Sequence, residues 1–101
     1  DCSGLIQISL LLCGVDCPGD SDQQMNTLGH NLDIGSPQKR GDILFWKGHV
    51  AWVVNERQIL HSNAYHMATV IEEANEAIER IKKQHNNNLM AHKRLIGELY
   101  E

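Results

Sequence analysis

The sequence predicts an α+β domain, with helices first, then a run of mostly antiparallel strands and one late helix. Three observations carry that expectation. Leu5, Ile6, Ile8, Leu10, Leu11 and Leu12 form an apolar run closed by Gly14. From Ile43 to Ser62 the chain breaks into short β-branched and aromatic segments separated by polar turn residues. From Glu72 to Lys83 the period lengthens again, and Ala74, Ala77, Ile78 and Ile81 fall on one helical face.

The first run is apolar on nearly every side, as in a helix buried all round, and Gly14 suits the left-handed residue that ends a helix. Asp1 is a good N-cap, which puts Cys2 in the first turn. There a cysteine feels the positive end of the helix dipole and the unpaired N–H groups of that turn. Such settings lower a thiol pKa from ~8.5 into a range of roughly 3.5–7.5. The same N–H groups would face an oxyanion formed when the sulfur attacks a carbonyl.

Val15 to Asp20 is a turn-rich loop. Ser21 and Gln24 have capping-box spacing, so a short helix is expected from about Asp22 to Leu28, stopping at Gly29. His30 to Asp42 reads as irregular, with Gly35-Ser36-Pro37 and Arg40-Gly41-Asp42 as turn signals. Strands follow at Ile43–Trp46, His49–Val54 and Ile59–Ser62, with a fourth over His66–Ile71. The late helix occupies Glu72–Lys83, Gln84–Asn88 is a polar turn, and Leu89–Ile96 is the last strand.

At 101 residues the chain is one small domain spanning 1–101, and 42% hydrophobic with 22% charged residues is ordinary for a globular protein. A net charge of −4 argues against an electrostatically driven nucleic-acid partner. No apolar run approaches the ~20 residues of a membrane span. A chain that opens on a helix cap reads as the remainder of a longer protein, trimmed at its N-terminus. Cys2, Cys13 and Cys17 are an odd set, and Cys13 and Cys17 are expected to be reduced thiols. His30, His49, His61 and His66 join them as potential ligands, but no C-x-x-C or H-x-x-x-H spacing supports a metal, and none is expected.

A hairpin turning near Asn55 and Glu56 brings His49 level with His61 to within a residue or two. If the first helix points its N-terminus at that end of the sheet, Cys2, His49 and His61 form a line. Cys2 would be the nucleophile, His49 the base taking its proton, and His61 the group that fixes the tautomer of His49.

Asp1-Cys2-Ser3-Gly4-Leu5, Gly19-Asp20-Ser21 with Gln23 or Gln24, Gly41-Asp42-Ile43-Leu44-Phe45, Gly48-His49-Val50-Ala51 and Leu60-His61-Ser62-Asn63-Ala64 follow one another in a familiar order. In that order and spacing the chain resembles the NlpC-type cysteine peptidases of bacteria, over nearly its whole length. The resemblance implies a papain-like fold in which an N-terminal helix carrying the nucleophile packs on an antiparallel sheet. It implies Cys2, His49 and His61 as catalytic residues, with Asp1, Ser3, Asp20 and Ser21 on the substrate side. The stretch from His61 to Ile81 is most similar to the branch acting as dipeptidyl peptidases on murein peptides. The implied reaction is hydrolysis of the γ-D-glutamyl–diamino acid bond of peptidoglycan stem peptides, without a cofactor, in the cytoplasm or the cell envelope.

Two departures stand out. Gly19 occupies a place where the family usually has arginine, and the family's earlier segment, with a tyrosine near the nucleophile, is not in this chain. Members of the branch also carry upstream SH3-like domains that close the substrate site, so whether the fragment alone folds fully and is active stays open. A non-catalytic peptidoglycan-fragment-binding module, or an amidase or acyltransferase of the same fold, is the alternative.

Overall fold

Among the described residues, six strands pair antiparallel throughout in one sheet: β1 (His30–Leu32), β2 (Ile43–Trp46), β3 (His49–Val53), β4 (Gln58–Asn63), β5 (Ala68–Glu73) and β6 (Ala91–Arg94). Their spatial order is β1-β6-β2-β3-β4-β5. The computed structural model describes residues 4, 6, 7, 9, 10, 19–63 and 68–95. With its helices packed on that sheet, the chain is α+β, as its patterning implies.

The sheet is covered on both faces because its central strands are apolar on both. All four residues of β2 are buried, and they alternate between two cores. Ile43, Phe45 and Val50 pack with Ile6, Leu10, Leu28 and Leu95 on one face. Leu44, Trp46, Ala51, Val53 and Ile59 pack with Ala74, Ala77 and Ile81 on the other. Gly4, Ile6, Gln7, Ser9 and Leu10 are helical, and Ile6 and Leu10 are fully buried against one face of the sheet. The expected end of this helix at Gly14 lies outside the described residues.

The short helix spans Ser21–Thr27, and its cap is Asp20 instead of Ser21. The Asp20 carboxylate accepts from the Asp22 N–H (2.8 Å) and the Gln23 N–H (3.3 Å), so the stronger acceptor takes the cap one residue earlier. His30–Leu32, expected to be irregular, forms β1 by pairing with β6. Its His-Asn-Leu sequence has no strand period, and the partner is some sixty residues away, so only the tertiary structure makes it a strand. Gly29 permits the approach: at φ 51° it sits where a Cβ would lie 2.3 Å from the Arg94 carbonyl oxygen.

The late helix spans Ala74–His85, two residues later than its periodicity suggests. Glu73 caps it, accepting from the N–H groups of Asn75 (3.0 Å) and Glu76 (3.1 Å), and Asn86 closes it in the left-handed conformation. Ala74, Ala77 and Ile81 are buried with Ile78 half-buried, which is the expected face. The shift leaves Glu72 in β5, paired across from Ile59 of β4.

Beneath β2 and β6 lies a buried charge cluster. Asp42, fully buried, accepts from His92 (2.6 Å), twice from Arg94 (both 2.8 Å) and from the Lys39 N–H (3.0 Å). Burial by itself would raise its pKa, but the bonds from Arg94, His92 and Lys39 outweigh that and hold it below the ordinary value.

Candidate active site

His49 is the first residue of β3 because Lys47 and Gly48 make a tight turn out of β2, with Gly48 at φ 71°. Trp46 pairs across the hairpin with His49, and its ring lies tilted 5.2 Å from the imidazole, filling the sheet side of the site. The register of β3 on β4 is Trp52 with Leu60 and Val53 with Ile59. Extended toward the turn-distal end, it puts His61 on the same face as His49 and one diagonal away. In β5, Glu72 stands in the same relation to His61, since His61 pairs with Val70 and Ile59 with Glu72. Two successive diagonals therefore aim three polar side chains at one another.

Nε2 of His49 lies 2.8 Å from Nδ1 of His61, with the rings edge-on. Nε2 of His61 donates to a carboxylate oxygen of Glu72. Arg80, one helical turn beyond the buried Ala77, reaches back with both terminal nitrogens to Glu72, at 2.6 and 2.8 Å. His61 is buried and His49 half-buried. Burial, then the neighbouring charge of His61, lowers the His49 pKa to about 4, so the ring is neutral near pH 7. The Arg80 bonds lower the Glu72 pKa to about 2, against the effect of burial, so the carboxylate stays ionised.

These side chains project from the face that carries the Ala74–His85 helix, opposite to the one on which Ile6 and Leu10 pack. His49, at the start of its strand, is at the margin of the sheet. A cleft of about 320 Å³ opens beside it, lined by Lys47, Gly48, His49, Ile81, His85 and Asn87. Its rim thus offers a cation, an amide and two imidazoles to a polar ligand.

Of the residues singled out by sequence, His49 and His61 are brought together. Cys2, Asp1 and Ser3 lie outside the described residues, as do Cys13, Cys17 and His66. Ser21 is the first residue of its helix, and the Asp20 carboxylate is engaged in capping. The corner at Gly19 abuts the first helix, since a Cβ there would meet the Gln7 amide at 3.3 Å. Glutamine thus occupies space beside the position where the family usually has an arginine.

Glu72 and Arg80 were not legible as site residues. Read as the first residue of a helix, Glu72 would face solvent; the usable signal was a carboxylate at an inward-facing strand position diagonal to His61. Among the described residues, no group of three or more His, Cys, Asp and Glu side chains is arranged to hold a metal, and no helix is long and apolar enough to cross a membrane.

The fold has known counterparts. The peptidoglycan hydrolase RipB of Mycobacterium tuberculosis is 25% identical, with a TM-score of 0.75 over 95% of this chain. An NlpC/P60 family protein of Bacillus cereus is 26% identical, with a TM-score of 0.74 over 95% of this chain. The P60 domain of an antigen from Mycobacterium avium subspecies paratuberculosis shares the fold at 23% identity, with a TM-score of 0.73 over 95% of this chain. The matches take in 45%, 32% and 65% of those chains respectively, so this chain corresponds to one part of each. No curated protein matches it. The model of the NlpC/P60 family matches residues 1–94, and with that match across nearly its whole length the chain belongs to the NlpC/P60 family.

Proposed function

We propose that this chain is the catalytic domain of a cysteine peptidase that hydrolyses the γ-D-glutamyl–diamino acid bond of peptidoglycan stem peptides. The observation that carries the reading is the 2.8 Å bond between His49 and His61 in an NlpC/P60 domain whose sequence offers Cys2 two residues before the helical Gly4. A neutral, oriented imidazole is what a thiol nucleophile requires. RipB, which shares the fold, is a peptidoglycan hydrolase, and that supports the substrate class. The reading requires the start of the first helix to meet the margin of the sheet at His49.

In this mechanism the Cys2 proton passes to His49 Nδ1 and the sulfur attacks the γ-carbonyl carbon of D-glutamate. Helix-terminal N–H groups hold the oxyanion. The C–N bond breaks, His49 returns its proton to the leaving amine, and the thioester remains. Water then gives a proton to His49 Nδ1 and attacks the thioester, releasing the carboxylic acid, and Cys2 recovers its proton. Asp1 and Ser3 hold the free amino end of the peptide, and the Gly19–Ser21 corner borders the same region.

The test is to incubate the full-length protein carrying this domain with L-Ala-γ-D-Glu-diamino acid tripeptide and identify products by mass spectrometry. The expected products are the L-Ala-γ-D-Glu dipeptide and the free diamino acid, with none from Cys2→Ala. The N-acetylated tripeptide should be cut far more slowly. Equal rates on both peptides would exclude the dipeptidyl reading and leave a general stem-peptide endopeptidase. Cleavage at the L-Ala–D-Glu bond would indicate a peptidase of different bond specificity, and loss of the acetyl group from the N-acetylated peptide would indicate an amidase.

A further inference from the structure

We infer that Glu72, clamped by Arg80, is a positioning residue that sets the tautomer of both histidines and makes Nδ1 of His49 the proton acceptor. The inference rests on the peptidase reading for what that nitrogen then does. It follows from hydrogen-bond valence. An ionised carboxylate only accepts and a guanidinium only donates. With Arg80 donating to both of its oxygens, at 2.6 and 2.8 Å, Glu72 is held as an acceptor toward His61. His61 must therefore carry its proton on Nε2, the nitrogen that faces Glu72. A neutral imidazole has one N–H, so Nδ1 of His61 presents a lone pair. Across 2.8 Å that lone pair can only accept from Nε2–H of His49. One nitrogen remains on His49, Nδ1, and it bears a lone pair.

The direction of the whole chain is thus written by a charge two rings away from the reacting atoms. Without Glu72 the two-ring chain could run either way. With Arg80 left beside it, a guanidinium N–H facing His61 would reverse the order and place a proton on His49 Nδ1, where it blocks the base. When His49 takes the thiol proton it becomes an imidazolium whose Nε2–H still points at His61, so no further proton has to move. Among the described residues, the ionisable groups near the two rings are Arg80 from the helix, which bonds Glu72, and Lys47 from the turn and His85 from the helix end, which line the cleft with His49.

A merely structural Glu72–Arg80 pair would behave differently. Glu72 is 22% and Arg80 39% exposed, and ion pairs that accessible contribute little to stability. Loss of the pair should then cost activity out of proportion to any loss of fold.

The experiment uses the full-length protein with Glu72→Ala, Glu72→Gln and Glu72→Asp, and the double variant Glu72→Ala with Arg80→Ala. Three readouts are taken: kcat and KM on the tripeptide, the histidine tautomers from two-bond proton–nitrogen NMR, and the alkylation rate of Cys2. In the parent, His49 and His61 should both be Nε2–H. Glu72→Ala should convert His49 to Nδ1–H and lower kcat about 10²-fold with KM within about threefold, less than the ~10⁴ that follows when the tautomer of a serine-protease histidine is reversed directly. Glu72→Asp, which keeps the carboxylate, should restore most of kcat, and removing Arg80 as well should recover part of the Glu72→Ala loss. An Nε2–H tautomer at His49 that survives in both Glu72→Ala and Glu72→Gln would overturn the inference. So would a kcat loss that Glu72→Asp shares in full. Failure of the peptidase reading looks different: no hydrolysis and no selective alkylation of Cys2 in the parent, with the tautomers still following Glu72.

Discussion

The domain contains the same three-part cluster twice. In one copy His92 donates to Asp42, which is clasped by Arg94; in the other His61 donates to Glu72, which is clasped by Arg80. The chemistry is alike, but the surroundings are not. Asp42 and His92 are almost wholly buried between β2 and β6, and the carboxylate also takes the Lys39 N–H, which ties a surface turn to the sheet. Around Glu72 the cluster is partly open, and the far nitrogen of its histidine leads to a second ring at the edge of a cleft. A histidine–carboxylate–arginine set is therefore not a site in itself. In the reading proposed here it becomes one where its polarity is handed on to a group that a substrate can meet; elsewhere it is a buried fastening.

The largest effect that would sharpen this contrast comes from the ring that receives the polarity. His49→Ala should lower kcat by about 10²–10⁴-fold, the usual worth of a positioned base, with little change in melting temperature. His61→Gln should retain part of the activity, because its amide oxygen can still accept the His49 N–H. If His61→Gln is as inactive as His49→Ala, then His61 does more than orient its neighbour.

The buried copy should fail in stability instead. Asp42→Ala leaves Arg94 and His92 without their shared acceptor, and breaking a buried pair this way costs about 3–5 kcal/mol. Urea unfolding should show that loss, while kcat per folded molecule stays within about threefold. A loss of kcat without loss of stability would erase the distinction between the two clusters.

Acid should separate them by a different route. His49 has its pKa lowered to about 4, so its ring is neutral above that value, and the base proposed here is lost as pH falls through it. The acid limb of kcat/KM should lie well below 6.5, toward 4, as an apparent value of the coupled cysteine–histidine pair. Glu72, at about 2, stays ionised across that limb. Asp42 is held below its unfolded value, so its stabilisation is complete above about pH 4 and is lost as pH falls through its folded pKa. Activity should therefore fail on acidification before Asp42's contribution to stability is lost, and activity and unfolding measured over pH 2–7 check the order.

The smallest effect belongs to the cleft rim. Lys47→Ala should raise KM for a carboxylate-bearing tripeptide by up to about fivefold, equivalent to an exposed charge contact of ~1 kcal/mol, and leave kcat alone. No change in KM would mean that the substrate's carboxylates lie elsewhere.

Much of this was legible in the sequence, and the rest failed for identifiable reasons. The hairpin that joins His49 to His61 is written in local turn and strand signals, so their meeting could be anticipated. The face of the late helix was readable from Ala74, Ala77 and Ile81. Its start was not, because Glu72 and Glu73 fit a first helical turn as well as a strand end, and only the cap by Glu73 and the pairing of Glu72 with Ile59 decide. That two-residue difference hid the Glu72–Arg80 part of the site. β1 was hidden for another reason, since its three residues owe their extended form to β6 and to the close approach at Gly29.

The most direct test joins the histidine pair seen here to the nucleophile proposed for it. Full-length protein is alkylated at about pH 6 and the rates at Cys2, Cys13 and Cys17 are followed by peptide mapping, in the parent and in His49→Ala. Cys2 should react far faster than the other two in the parent and lose most of that advantage without His49. Equal labelling of the three cysteines, or a Cys2 rate indifferent to His49, would contradict the catalytic pairing.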